Sequence, residues 1–187
     1  GKTYDVVVSG TCGNVTSSAG KLSVNANSVA GSISGSEKIC EGSTAKDLTL
    51  VGYTGNIVRW QSSTSPFTNW ADISNSTTSY SPGIVNKSTQ YRAIIQSGNC
   101  AEQMSSTATI NVDEMPSLSQ AGPDQALCSI STQISANKPT IGKGKWILVD
   151  NTIGGKITNE DMENTGFKGT ENTTYKLAWT ISNGVCK

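Results

Sequence analysis

Histidine is absent from this chain, and charged, aromatic and proline residues are few. Without histidine, neither a Ser-His-Asp nor a Cys-His nucleophile can be assembled. No motif marks a carboxylate pair for glycoside cleavage either, so no catalytic residue is expected. A zinc site is excluded because the five cysteines include no close pair. Charged residues make up 15% of the chain, where about a quarter is usual. Fourteen basic residues balance fourteen acidic ones, which excludes the basic face that nucleic-acid binding needs. No apolar run is long enough to span a bilayer, so this stretch is not expected to insert in a membrane. No window keeps apolar residues at helical spacing through three turns. Ser, Thr, Asn and 19 Gly fill the sequence instead, together with many β-branched residues that suit a pleated surface.

The chain repeats itself. Tyr4-Asp5-Val6-Val7-Val8 runs to Cys12, Tyr91-Arg92-Ala93-Ile94-Ile95 to Cys100, and Tyr175-Lys176-Leu177-Ala178-Trp179 to Cys186. Each is a Tyr-led apolar strand that ends in a small-residue turn and a cysteine. Cys12 and Cys100 lie 88 residues apart, Cys100 and Cys186 86, Cys40 and Cys128 88, and Trp60 and Trp146 86. A period this long means one small domain per repeat. The first strand reads from Gly1, and a start inside a strand reads as an internal piece whose export signal and anchor lie outside it.

Within the middle repeat, strands are predicted near Ser32–Ser36, Ala45–Val51, Asn56–Ser62, Trp70–Ile73, Thr77–Tyr80, Thr89–Ser97 and Ser105–Val112. Turn residues such as Ser81-Pro82-Gly83 separate them. Seven short strands with a tryptophan on the third predict an all-β fold of tandem immunoglobulin-like β-sandwich domains. Residues 1–29 then supply the C-terminal strands of an upstream repeat, 30–113 a complete repeat, and 114–187 a repeat lacking its last strand. Trp60, Trp146, Tyr91 and Tyr175 are the expected core and strand-corner residues.

Cysteines without metal spacing point to disulfides and an oxidising compartment. Cys40 with Cys100 and Cys128 with Cys186 are 60 and 58 residues apart, resembling immunoglobulin spacing. Closing such a loop is worth roughly 4 kcal/mol. In ordinary sandwich topology, however, Cys40 and Cys100 fall at opposite ends. Bridges between neighbouring repeats, such as Cys40–Cys186, and free thiols therefore stay open. Cys12 has its partner outside the chain in the within-repeat scheme.

The runs Ile39-Cys40-Glu41-Gly42, Trp60-Gln61-Ser62-Ser63-Thr64, Gln90-Tyr91-Arg92-Ala93 and Ser97-Gly98-Asn99-Cys100 carry a further resemblance. So do Ala121-Gly122-Pro123-Asp124-Gln125-Ala126-Leu127-Cys128 and Ser182-Asn183-Gly184-Val185-Cys186. They resemble the immunoglobulin-like repeats of SprB-type gliding-motility adhesins, surface proteins of Bacteroidota exported by type IX secretion. The resemblance implies display on the outer cell surface, a part in attachment and gliding, and dealings with secretion and motility machinery.

Two candidate sites remain. Phe67, Trp70 and Tyr80 form an aromatic cluster that could stack on a surface polysaccharide, although the third repeat has no counterpart of Asn69-Trp70. Asp150, Glu160, Asp161 and Glu163 form an oxygen-rich loop of the kind calcium uses, without a matching template. The expected function is a structural and adhesive rod whose partners are neighbouring repeats. The alternative is a carbohydrate-binding or spacer module of a secreted multidomain hydrolase.

Overall fold

The computed structural model describes residues 2–150 and 153–187. Gly1, where the first strand was expected to start, lies outside the described residues. Among the described residues there are twenty strands and no helix, an all-β chain of tandem immunoglobulin-like sandwiches.

The N-terminal segment holds β1 (Lys2–Tyr4), β2 (Val7–Gly10), β3 (Gly13–Thr16) and β4 (Gly20–Leu22). β1 pairs antiparallel with β4, and β2 with β3. The expected Tyr-led strand is thus broken in two. Its apolar side chains, Val6, Val7 and Val8 among them, stay exposed.

The middle sandwich has two facing sheets. Its larger sheet contains β6 (Glu37–Cys40), β9 (Asn56–Thr64), β10 (Ala71–Ile73), β13 (Thr89–Gln96) and β15 (Ala108–Asp113) in the order β10-β9-β13-β15-β6. β14 (Gln103–Met104) adds to β13. The facing sheet is β11 (Ser79–Tyr80), β8 (Leu48–Val51) and β5 (Ser32–Ser34). β7 (Ser43–Thr44) and β12 (Ile84–Val85) form a small clip. Period-two alternation builds the core: Leu48 and Leu50 point inward from β8, as do Tyr91, Ala93 and Ile95 from β13. Trp60 is fully buried opposite Ala93, whose small side chain leaves room for the indole. Its ring lies 5.7 Å from Tyr80, and its Nε1–H donates to the Thr77 carbonyl at 3.0 Å. Burial pushes the Tyr91 phenol pKa up.

The sequence pattern did not reveal β6. It pairs in parallel with β15, with Cys40 level with Asp113. A four-residue strand with one buried apolar residue, Ile39, carries too little alternation to announce itself.

The third sandwich contains β16 (Ser131–Ser135), β17 (Lys143–Leu148), β18 (Lys156–Ile157), β19 (Asn164–Lys168) and β20 (Leu177–Ser182). β16, β19 and β18 form one sheet, β17 and β20 the other. Trp146 is buried against Trp179, ring centroids 5.4 Å apart, and its Nε1–H donates to the Glu163 carbonyl at 3.3 Å. Tyr175 is half-buried, edge-on to Phe167. Its hydroxyl accepts from the Thr170 N–H at 3.1 Å and donates to the Ile153 carbonyl at 3.2 Å, which ties the loop before β20 to the sheet.

Candidate functional site

Chemistry concentrates where the middle sandwich hands over to the third. β15 ends at Asp113, and the chain continues into the third sandwich through Glu114 and Met115. The turn after β20 folds back onto this linker. Gly184 takes a left-handed φ of 57°, and a Cβ there would collide with the Asp113 carboxylate. The close approach lets the Val185 N–H donate to Asp113 Oδ2 at 2.9 Å and Asn183 Nδ2 donate to the Glu114 carbonyl at 2.9 Å. Lys38 Nζ reaches Asp113 Oδ1 at 3.0 Å from the neighbouring strand. Cys186, drawn to the end of β6, forms a disulfide with Cys40 (Cα–Cα 5.1 Å, 146 residues apart).

This bridge joins two sandwiches and overturns the within-repeat pairing. β6 runs parallel to β15 and β15 antiparallel to β13, so Cys40 lies level with the start of β13 and Cys100 beyond its end. Eight residues of strand put about 25 Å between those ends. A disulfide needs Cα atoms within about 7 Å. With Cys186 committed to Cys40, Cys128 cannot pair with it either, and Cys12, Cys100 and Cys128 carry free thiols.

The junction before the middle sandwich has the same design. Gly98, 86 residues before Gly184, has φ 53° and packs on Asn25. The Ser97 N–H donates to Ser28 Oγ at 2.9 Å, and the Cys100 thiol donates to the Ala26 carbonyl at 3.5 Å. Cys186 Sγ likewise lies 3.4 Å from the Asp113 carbonyl oxygen. The docking of each post-strand turn on the preceding linker is therefore a repeated feature. The equal spacing of Ser97-Gly98-Asn99-Cys100 and Asn183-Gly184-Val185-Cys186 was its only trace in the sequence.

The Val185 N–H, and after it the Lys38 ammonium, hold the Asp113 carboxyl below the usual carboxylate range. A depressed pKa in the folded state adds stability above the unfolded value of about 4, and that stability is lost as pH falls through the folded value. The third sandwich should therefore lose thermal stability on acidification below about pH 4. In Asp113→Asn, which keeps an acceptor but no charge, this loss should be blunted. Calorimetry across the acid range measures both.

The other candidates are placed differently. Tyr80 does not join an outward aromatic platform: β11 pairs with β8 and turns its ring between Trp60 and Tyr91, 5.6 Å from the latter. Trp70 lies half-buried on the outer face of the larger sheet, with the Arg92 guanidinium 4.0 Å from its ring centroid. Phe67 is half-buried in the turn before it. A chain of polar contacts continues across this face. Arg92 Nε donates to Gln61 Oε1 at 2.7 Å, Gln61 Nε2 to Asp72 Oδ1 at 2.6 Å, and Arg59 binds Asp72 at 3.2 Å and Glu102 bidentately at 2.9 and 3.0 Å.

The four acidic candidates for calcium are not brought together. Glu160 pairs with Lys145 at 3.1 Å, Glu163 uses its carbonyl to hold Trp146, and the Asp161 N–H bonds Asn159. Asp150 lies five residues beyond Lys145, about 16 Å if extended. Among the described residues no group of three metal-ligating side chains converges.

Residues 29–114 match the family described as "Domain of unknown function (DUF8696)". The matched span holds β5 to β15 and the residues of the linker that receive the Val185 and Asn183 bonds. No curated protein matches the chain. Among solved structures, the chain is similar to the fibronectin(III)-like modules of Clostridium thermocellum CbhA at 8% identity, with 81% of this chain and 85% of that chain covered and a TM-score of 0.37. It is also similar to extracellular domains 3–5 of Drosophila OTK at 13% identity, with 83% of this chain and 64% of that chain covered and a TM-score of 0.28. The strand order and the two buried cores carry the fold assignment.

Proposed function

We propose that this chain is a non-catalytic, load-bearing segment of a large secreted surface adhesin. In this reading residues 1–29 end one repeat, 30–113 form a whole repeat, and 114–187 form a repeat without its last strand. The observation that carries the proposal is the disulfide from Cys40 in one sandwich to Cys186 in the next. It converts a flexible string of domains into a covalently braced one, and it fits an oxidising, extracellular setting. The resemblance to SprB-type repeats supports display on the outer surface of a gliding bacterium and export by type IX secretion, with attachment to a substratum as the task.

Trp70 favours the rod over a sugar-binding module. Arg92 covers one face of this indole and Tyr80 is turned into the core, so a sugar could meet at most the other face of Trp70 and not a platform that includes Tyr80. The test is binding of the folded protein and of Trp70→Ala to a panel of surface polysaccharides. No saturable binding by either is expected. Saturable binding lost in Trp70→Ala would overturn the rod reading in favour of a carbohydrate-binding module.

A further inference from the structure

The bridge between the sandwiches presents its two sulfurs unequally. Cys186 is 1% exposed, and its Sγ lies 3.4 Å from the Asp113 carbonyl oxygen. Cys40 is partly exposed at the end of β6. A thiol that reduces a disulfide must reach one sulfur and push the other out as a thiolate. Cys40 Sγ is therefore the sulfur open to attack.

A second sulfur lies against it. The Sδ of Met115 is 3.2 Å from Cys40 Sγ, in direct contact. Backbone contacts bring the linker to this place. Asp113 is level with Cys40 in the β15–β6 ladder, and the Glu41 N–H extends that ladder by donating to the Asp113 carbonyl at 2.9 Å. The Met115 N–H then points at Glu41 Oε2 at 3.5 Å. Although its sulfur touches the bridge, Met115 is 55% exposed. One thioether thus meets both the solvent and the reachable end of the disulfide. An exposed thioether is open to oxidation, which turns a flexible apolar side chain into a polar sulfoxide.

We propose that Met115 guards the Cys40–Cys186 bridge and is the oxidation site that unlocks it. The inference rests on the stapled rod proposed above and adds its control. The thioether covers Cys40 and slows incoming thiols, and sulfoxide formation ends that contact. In the oxidation step hydrogen peroxide transfers one oxygen to Sδ. The O–O bond breaks, an S–O bond forms, the sulfur is oxidised, and water leaves. In the reduction step a dithiol thiolate attacks Cys40 Sγ. The S–S bond breaks and Cys186 leaves as a thiolate that takes up a proton. The second thiol of the reagent then displaces Cys40, and the reagent closes into its own disulfide.

The test is the rate at which dithiothreitol opens the bridge in the intact protein. The free thiols of Cys12, Cys100 and Cys128 are first blocked with N-ethylmaleimide, and the newly released thiols are labelled and mapped by mass spectrometry. Met115→Ala should be reduced several-fold faster than the unchanged protein. Met115→Leu, which keeps the cover without an oxidisable sulfur, should match the unchanged protein. Brief hydrogen peroxide treatment should speed reduction of the unchanged protein several-fold and leave Met115→Leu as it was. Met104 and Met162, 58% and 52% exposed, remain in that variant. A peroxide effect that persists in Met115→Leu therefore arises elsewhere and would overturn the proposal. Equal rates for Met115→Ala and the unchanged protein, with the bridge mapped before reductant is added, would sink the guard alone. Absence of the Cys40–Cys186 link before reductant would sink the stapled rod as well.

Discussion

Trp60→Ala is expected to cost the middle sandwich about 3–5 kcal/mol. The side chain is fully buried, stacks against Tyr80, and is anchored by its Nε1–H on the Thr77 carbonyl. Truncation leaves a hole that Ala93, directly opposite on β13, is too small to fill. It also leaves the Thr77 carbonyl without its indole donor. A domain of this size has about 5–15 kcal/mol in total, so the variant should sit near the edge of unfolding at room temperature. Trp60→Phe, which keeps most of the apolar area and loses the N–H, should cost distinctly less. Urea unfolding followed by circular dichroism measures both. Trp146→Ala should act the same way on the third sandwich, because its Nε1–H bonds the carbonyl of Glu163, 86 residues after Thr77. The two cores are separate clusters, so each variant should leave the other transition nearly in place.

Removing the staple should have the second large effect. The bridge closes a loop of 146 residues, which in the chain-entropy account is worth about 5 kcal/mol. The third sandwich is held to the middle one by its docked turn, so Cys186→Ser should lower its unfolding midpoint. The middle core should change little. Cys40→Ser should reproduce the effect, and the double variant should add nothing, since either change removes the same bond. A double variant clearly less stable than both singles would mean that the cysteines act separately and not as one bridge.

The sequence disclosed the fold through its periodicities. Leu48 and Leu50, the Thr89–Ser97 run and the paired Trp60 and Trp146 gave strands, sheets and core positions that the structure places within a few residues. What it could not disclose depends on direction and partner. β6 is short and parallel, so nothing in Glu37-Lys38-Ile39-Cys40 signals which strand it joins. The choice of Cys186 over Cys100 for Cys40 follows from that parallel pairing, which sets the ends of the sandwich. Spacing alone favoured the opposite pairing because 60 and 58 residues look like an immunoglobulin bridge. Tyr80 was drawn into the aromatic cluster because it is near Trp70 in sequence. Its strand partner, β8, turns it inward. The acidic loop had the right residue types for calcium, yet Lys145 on β17 claims Glu160 first.

The central claim is that the disulfide carries load past the folded domains. With Cys40 bonded to Cys186, tension applied at the two ends passes through the sulfurs and bypasses residues 41–185. Those 145 residues would otherwise extend by on the order of 500 Å at about 3.5 Å each. The measurement that tests this most directly is single-molecule pulling of the chain from its termini, with and without reductant. The account predicts a short extension in the oxidised protein and a further gain on the order of 500 Å, in unfolding steps, once the bridge is reduced. Full extension without reductant would show that the domains themselves bear the load and would contradict the stapled rod.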